Sequence, residues 1–370
     1  MFSVMMAAAL ASVPYGQTEK GEAASLYRLS GKGGVIAEFT DYGARLVRLY
    51  APDRFGNLLD VTLGFNDAGS YDRYNRCIGT SIGRYGNRIA NGRFSLDGRE
   101  YALPTNNAPG GIPCCLHGGP EGWDRKIWKV EPACKPGAIG LKFSLVSPDG
   151  DQGFPGEMKI SVTHWISDDN VWAIDYCATT DKKTVVNMTN HAYFNLRGAE
   201  CGVPTTEGGQ TLQIFAKEYT EVTPGLIPIK NAPVAGTPFD FTKPKAIGAD
   251  LAKGAADAQL KCGNGWYDHN FVLDKSAPGE LSKAAEMRDP VSGRVMQVWT
   301  TEPCMQFYGG QGLSDKIPAK TPGKTLCKYA GIALETQHAP DSPNRPDFPT
   351  TTLEPGQTYA SRTEYRFFAE

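Results

Sequence analysis

Five histidines occur in this 370-residue chain, and His191 stands between Asn190 and Asn195 with Tyr193 and Phe194 beside it. The amides can fix an imidazole tautomer and the aromatic rings supply flat apolar surface, so together they make a workable proton-transfer site. The same company also suits a structural histidine hydrogen-bonded inside a core. A partner carboxylate is offered by Glu335, which ends the apolar run Gly331-Ile-Ala-Leu334 and so emerges from a buried strand. An unpaired buried charge is costly, so this glutamate is either tied to an arginine or put to chemical use. With reference pKa values of about 4.3 and about 6.5, a carboxylate and an imidazolium can coexist near neutrality as base and acid.

Three further segments carry polar groups suited to holding a small hydroxyl-bearing molecule. Gly83-Arg-Tyr-Gly-Asn-Arg-Ile-Ala90 places Asn87 and Arg88 in a glycine-punctuated loop, which reads as a wall of donors or as a solvated surface loop. Leu116-His-Gly-Gly119 puts His117 before a diglycine that permits either a close backbone approach or a sharp turn. Trp266-Tyr-Asp-His-Asn-Phe271 contains Asp268, an acceptor able to take two neighbouring hydroxyls, and His269, which reads as a structural neighbour.

The elements that must position these groups read as strands. Short alternating segments at 26–30, 35–39, 45–50 and 58–63 are each bounded by Gly, Pro, Asn or Asp. Asp97-Gly98 between 93–96 and 99–103 predicts a two-residue hairpin turn. The texture continues at 126–131, 141–147, 157–166, 171–179, 212–215, 294–300 and 359–368. One helix is expected over 250–260, with Asp250 as N-cap. No linker or repeat divides the chain, so the pattern predicts an all-β fold of two large antiparallel sheets packed face to face, with residues 26–370 as a single domain.

Net charge of −2 without a dense basic run argues against a nucleic-acid or anionic-membrane surface and favours a small neutral partner. Residues 2–13 form an apolar run too short to span a bilayer, followed by Pro14-Tyr15-Gly16. No Lys or Arg precedes it, so residues 1–25 fit a signal-peptide-like segment, a frayed tail, or a signal whose start lies upstream, and both an exported or periplasmic and a cytoplasmic location fit. The nine cysteines form no C-x-x-C pair, which disfavours a zinc ribbon or thioredoxin motif and leaves their pairing open.

The decapeptide Asn187-Met-Thr-Asn-His-Ala-Tyr-Phe-Asn-Leu196 resembles the signature of the aldose 1-epimerases (galactose mutarotases): Asn/Ser, any, Thr-Asn-His, any, Tyr, Phe/Trp, Asn, Leu/Ile. The 83–90 loop resembles that family's Gly-Arg-x-Ala/Gly-Asn-Arg-Ile motif, and Leu116-His-Gly-Gly119 its next one. Asp268-His-Asn-Phe271 resembles Asp-His-x-Phe, and Glu335-Thr-Gln-His-Ala-Pro-Asp-Ser-Pro-Asn344 resembles Glu-x-Gln-x-x-Pro-Asp-x-x-Asn. The five motifs stand in the family's order, and the resemblance runs from about Leu26 to the end. It implies a large β-sandwich with its site in a cleft across one sheet. It further implies mutarotation of free hexoses such as glucose and galactose, with Glu335 as general base and His191 as general acid. Asn87, Arg88, His117 and Asp268 would bind the sugar. The resemblance implies no metal, nucleotide or covalent intermediate, and a monomer or homodimer.

Three rival readings have distinct requirements. Gly79-Thr-Ser-Ile-Gly83 fits the G-x-S-x-G nucleophile elbow around Ser81, but the following Gly- and Asn-rich stretch leads to a hairpin rather than the helix an elbow needs. A hexose-6-phosphate 1-epimerase would need cationic groups such as Arg84, Arg88 or Arg125 at the sugar's C6 end. A sugar-binding protein without turnover would have no use for a matched acid and base.

Overall fold

Alternating side chains can bury one face of a strand and wet the other, and Met158–Ser167 does so, burying every second residue from Met158 to Ile166. The structure, a computed structural model, describes residues 11–74 and 77–370. Strands of this kind assemble into three larger antiparallel sheets and four two-stranded ones. The largest has nine strands in the order Lys129–Lys135, Ala138–Ser147, Met158–Ser167, Val171–Thr180, Tyr359–Ala369, Arg294–Thr300, Ser282–Arg288, Thr211–Ile214 and Lys245–Ala246. A six-stranded sheet runs Tyr193–Phe194, Ile332–Gln337, Cys304–Tyr308, Asp268–Leu273, Ala216–Val222 and Pro228–Pro233. A five-stranded sheet takes Ser12–Gln17, Ala23–Ser30, Ile36–Thr40, Arg45–Pro52 and Leu58–Asp60 in chain order.

The nine-stranded sheet is the common backing for the other two. Phe39 of the five-stranded sheet stacks on His164, ring centroids 4.7 Å apart, and leans on Trp172. Phe194 of the six-stranded sheet lies against the same Trp172 and against Tyr365 on the next strand, and Thr336 Oγ1 meets Thr363 Oγ1 at 2.6 Å. Burying each such apolar side chain contributes about 1.5–3 kcal/mol, so this seam holds the sandwich together. The all-β sandwich expected from the sequence is therefore present, with the five-stranded sheet as a third layer element that the sequence pattern did not separate.

Local differences have local causes. The predicted 58–63 strand changes partner at Asp60, whose Oδ1 accepts the backbone N–H groups of Leu49 and Thr62: Leu58–Asp60 pairs with Arg45–Pro52, and Thr62 bridges to Phe194. The helix expected over 250–260 is broken into a 3-10 turn, Leu251–Lys253, and a short helix, Ala258–Cys262. Its N-cap is Asp257, which accepts from Gln259 and Leu260, while Asp250 pairs with Lys245 and Lys253 instead. A second helix, Ala68–Arg73, capped by Asp67 through Ser70 N–H, was not foreseen. Residues 2–10 of the apolar N-terminal run lie outside the described residues. Ser12–Gln17 pairs with Ala23–Ser30 as an edge strand, and Tyr15 is buried with its hydroxyl donating to the Phe65 carbonyl at 2.6 Å.

Candidate active site

Strand register decides which side chains of the six-stranded sheet share a face. Tyr193, Ala333, Tyr308 and Asp268 are successive partners in one row, and Glu335, Gln306 and Asn270 form the next. Alternation then sends Phe194, Leu334, Phe307, His269 and Phe271 to the opposite face and into the core. Asp268 and Glu335 thus project from one surface because the two rows lie two residues apart along each strand. His269 is fully buried against Phe239, and burial pushes its imidazole down to about 3, as befits a structural neighbour.

His191 enters that surface from the short link between Thr189–Asn190 and Tyr193–Phe194. Its backbone is pinned by its N–H to Thr80 O and by Gly79 N–H to its carbonyl. Tyr193 stacks on the ring at 4.9 Å, and Nε2 lies 3.4 Å from Glu335 Oε1. The flanking asparagines do not touch the imidazole. Asn190 bonds Gly79 O and Ala192 N–H, and Asn195 bonds Val203 O, Ala330 O, Arg197 N–H and Gln210, so both brace backbone and neither fixes the tautomer. Phe194 points into the core rather than beside the ring, again because of strand alternation.

His117 is set by different means. Cys114–Leu116 pairs with Arg88–Ala90, and His117 and Asn87, at φ +52° and +60°, exchange contacts beyond the end of that ladder. Asn87 N–H donates to His117 Nδ1 at 3.1 Å and His117 N–H to Asn87 O at 3.0 Å. A ring nitrogen that accepts an amide proton cannot carry one in the neutral imidazole, so the proton of His117 sits on Nε2. The ring stands edge-on to His191 at 5.3 Å. Gly118 makes this possible: at φ +80°, an added Cβ would lie 2.1 Å from Gly83 O.

Arg88 and Asp268 complete the wall, guanidinium Nη2 to carboxylate Oδ2 at 3.8 Å, with Arg88 Nε also donating to Asn107 Oδ1. All six residues singled out from the sequence, Glu335, His191, Asn87, Arg88, His117 and Asp268, therefore meet in one place. Two more lie among them that the sequence did not mark. Gln306 sits opposite Glu335 and donates to Asp268 Oδ1 at 2.6 Å, and Tyr308 stands edge-on to both Tyr193 and His191. Both are in Cys304-Met-Gln-Phe-Tyr308, which carries no local motif and becomes legible only through its pairing with Ile332–Gln337.

The electrostatics follow from burial. Glu335 and His191 are both almost fully buried, and Glu335 Oε2 and His191 Nδ1 have no hydrogen-bond partner among the described residues. Burial pushes the Glu335 carboxyl well above its usual range, with Asp268 adding to the rise and Arg88 opposing it. Burial likewise lowers His191 to about 4. Burial therefore disfavours the charged form of each group, shifting both away from the carboxylate and imidazolium expected from reference values. At 3.4 Å, opposite charges on the two would stabilise each other.

Donor atoms of His117, His191 and Glu335 also lie within 4.8 Å of one another, close enough to converge on a cation. A ligating histidine normally donates through its other nitrogen, whereas His117 Nδ1 accepts, so its inward Nε2 lone pair is occupied by a proton. The donor chemistry therefore suits hydrogen bonding to a hydroxylated ligand better than metal ligation. Ser81 of the G-x-S-x-G match is buried, donates to Ala44 O, and lies on a two-residue strand with no elbow helix following. Arg84 is spent on Pro155 O, Gly156 O and Ser147 Oγ, and Arg125 lies beside Asp72 and Glu121.

Comparison with known proteins points the same way. The aldose 1-epimerase family model matches residues 25–366. The chain is 38% identical over 331 residues to the galactose mutarotase of Rattus norvegicus, covering 89% of this chain and 90% of that protein. It is also 38% identical over 358 residues to the aldose 1-epimerase of Escherichia coli, covering 95% and 97%. Among solved structures, an aldose epimerase homologue from C. elegans superposes with TM-score 0.81 at 30% identity, over 94% of this chain and 99% of that one. A galactose 1-epimerase from Lactobacillus acidophilus does so with TM-score 0.79 at 26% identity, over 97% and 98%. No described helix is long and apolar enough to cross a membrane. With its family motifs gathered on one face of a β-sandwich and its match running almost end to end, the chain belongs to the aldose 1-epimerase family.

Proposed function

We propose that the protein is an aldose 1-epimerase that interconverts the α and β anomers of free hexoses such as glucose and galactose, with Glu335 and His191 moving the protons. The observation that carries this reading is the buried approach of His191 Nε2 to Glu335 Oε1, a carboxyl and an imidazole side by side among polar groups suited to hydroxyls. Anomer exchange takes a proton from the O1 hydroxyl and gives one to the ring oxygen, so the site's proton count is unchanged overall. A carboxyl and an imidazole in contact can supply the one base and the one acid that this exchange needs.

Transfer from Glu335 to His191 arms the site, and sugar hydroxyls donating to the unpartnered Glu335 Oε2 offset the carboxylate's desolvation. Glu335 then takes the O1 proton and His191 protonates the ring oxygen, opening the ring to the aldehyde. Rotation about the C1–C2 bond presents the other carbonyl face, and the same two transfers in reverse close the ring. Asn87, Arg88, His117 and Asp268 hold the remaining hydroxyls and leave the reacting end free to turn. His117 can donate from Nε2, and the Arg88–Asp268 pair offers donor and acceptor together without net charge. These steps need no metal, nucleotide or covalent intermediate.

The engagement of Arg84 and Arg125 with other groups supports a free sugar over a sugar phosphate. We take the partner to be a monosaccharide, the unit to be residues 26–370 acting as one domain, and the assembly to be a monomer or homodimer. Polarimetry of freshly dissolved α-D-glucose and α-D-galactose tests the reading. Wild-type protein should speed the approach to equilibrium rotation and Glu335→Gln should not. No acceleration with either sugar overturns the free-hexose assignment.

A further inference from the structure

Two cysteines far apart in sequence face one small cavity behind the site. Residues 195–203 leave the strand Tyr193–Phe194, and residues 323–330 lead into Ile332–Gln337. The two segments are already stitched together. Asn195 Nδ2 donates to Val203 O at 3.0 Å and to Ala330 O at 2.9 Å, and Thr205 donates to Tyr329 O through both its N–H and its hydroxyl. The Glu200 carboxylate accepts the Thr321 N–H at 2.9 Å. Between them lies a cavity of about 380 Å³ lined by both Cys201 and Cys327.

The thiols differ in a way that orders their reactivity. Cys201 is exposed and Cys327 half-buried, and burial pushes the Cys327 thiol up, with Cys201 and Glu207 nearby contributing. The other cysteines offer no comparable pair. Cys134 and Cys177, both exposed, sit on strands with two others between them, a separation of about 14 Å at the spacing of neighbouring strands. Cys114, Cys115 and Cys304 are buried, Cys77 and Cys262 are half-buried, and Cys201, like Cys262, donates to a nearby carbonyl, that of Val203.

We propose that Cys201 and Cys327 are a disulfide-forming pair, closed by exchange with a low-molecular-weight disulfide, that clasps the segment following His191 to the segment preceding Glu335. The Cys201 thiolate attacks one sulfur of the small disulfide, forming a mixed disulfide and expelling one thiolate, which takes up the proton Cys201 lost. The Cys327 thiolate then attacks Cys201 Sγ and expels the second small thiolate, which is protonated in turn. Two protein thiols are oxidised by two electrons, and one small disulfide is reduced to two thiols. The hydrogen bonds already hold the two segments together, and the link closes a sequence loop of more than a hundred residues.

The test is exposure of the full chain to glutathione disulfide, quenching with N-ethylmaleimide, and non-reducing tryptic mapping. Expected are a cross-link between peptides 198–217 and 325–328, a loss of two titratable thiols, and a rise in Tm of about 5 °C that dithiothreitol reverses. In Cys327→Ser the glutathione adduct on Cys201 should persist, whereas in wild type it should resolve. A stable Cys201 adduct in wild type, equal adduct levels in both proteins, or a cross-link joining other cysteines would each overturn the proposal.

Discussion

Replacing Glu302 by Gln removes one half of a buried ion pair without changing its shape. Glu302 Oε2 lies 2.6 Å from His338 Nδ1, and Tyr359 OH donates to Oε1 at 3.0 Å. Burial alone would raise the Glu302 pKa, but His338, Ser361 and Tyr359 outweigh it and hold the carboxyl below its usual range. Burial alone would lower the His338 pKa, and Glu302 reverses that and raises it. Breaking a buried pair costs about 3–5 kcal/mol, and the low end applies because the His338 side chain is 21% exposed. At an unfolding entropy of about 2.1 cal/mol/K per residue, 370 residues give about 0.8 kcal/mol per kelvin, so the variant should lose about 4 °C in Tm.

The pH dependence of that loss has a definite sign. A lowered glutamate stabilises above its unfolded pKa of about 4.3 and loses the contribution as pH falls through the folded value. A raised histidine stabilises fully below its unfolded pKa of about 6.5 and loses the contribution as pH rises through the folded value. The pair is therefore at full strength between about pH 4.5 and 6.5. Differential scanning calorimetry of wild type and Glu302→Gln should give the largest Tm gap near pH 5.5 and a smaller one at pH 9. A gap that is constant or wider at pH 9 would refute the assignment of His338 as the charged partner.

Other outcomes follow from the same geometry. Glu335→Gln, which abolishes acid–base work, should raise Tm at neutral pH by thermal melt, because it removes a titratable group whose Oε2 is buried and unpartnered. His191→Asn should lower kcat by about 10²–10⁴-fold in the polarimetric assay while leaving the fold intact by circular dichroism. Asn187→Ala deletes bonds to Gly86 O at 3.3 Å, His338 O at 3.1 Å and His338 N–H at 2.9 Å, the ties between the Asn87 loop and the chain beyond Glu335. It should cost about 3 kcal/mol and raise KM more than it lowers kcat, measured by steady-state kinetics and chemical denaturation. Gly118→Ala should cut kcat/KM at least about tenfold, since its Cβ would collide with Gly83 O and displace His117.

The six polar groups of the site were legible because each sits in a dense local motif, whereas their mutual geometry was not. Asn190 and Asn195 illustrate the gap: sequence proximity to His191 suggested ring contacts, but alternation along short strands turns both amides onto backbone. Gln306 lies 29 residues before Glu335 and reaches it only through strand pairing, a non-local event that no window of sequence contains. The direction of the shifts at Glu335 and His191 was not legible for a related reason, since reference pKa values describe exposed groups and the depth of this face is set by the whole sandwich. In contrast, the Asp97-Gly98 hairpin and the strand Arg294–Thr300 formed where their own residues dictate. The split at 250–262 turned on whether Asp250 or Asp257 caps, a choice made by Lys245 across the turn.

The row arrangement on the six-stranded sheet has a bearing on how such a protein can be changed. On each strand the residues that share the face of Glu335 and the residues that hold the sandwich occupy interleaved but separate positions, so selection or a mutant library can vary Asn270, Gln306 and Tyr308 while Phe271, Met305 and Phe307 stay fixed. Substrate preference is in this sense modular at single-residue resolution. The cost is a strict intolerance of insertion: one added residue in Ile332–Gln337 exchanges the two alphabets, sending Glu335 into the core and Leu334 into the cleft.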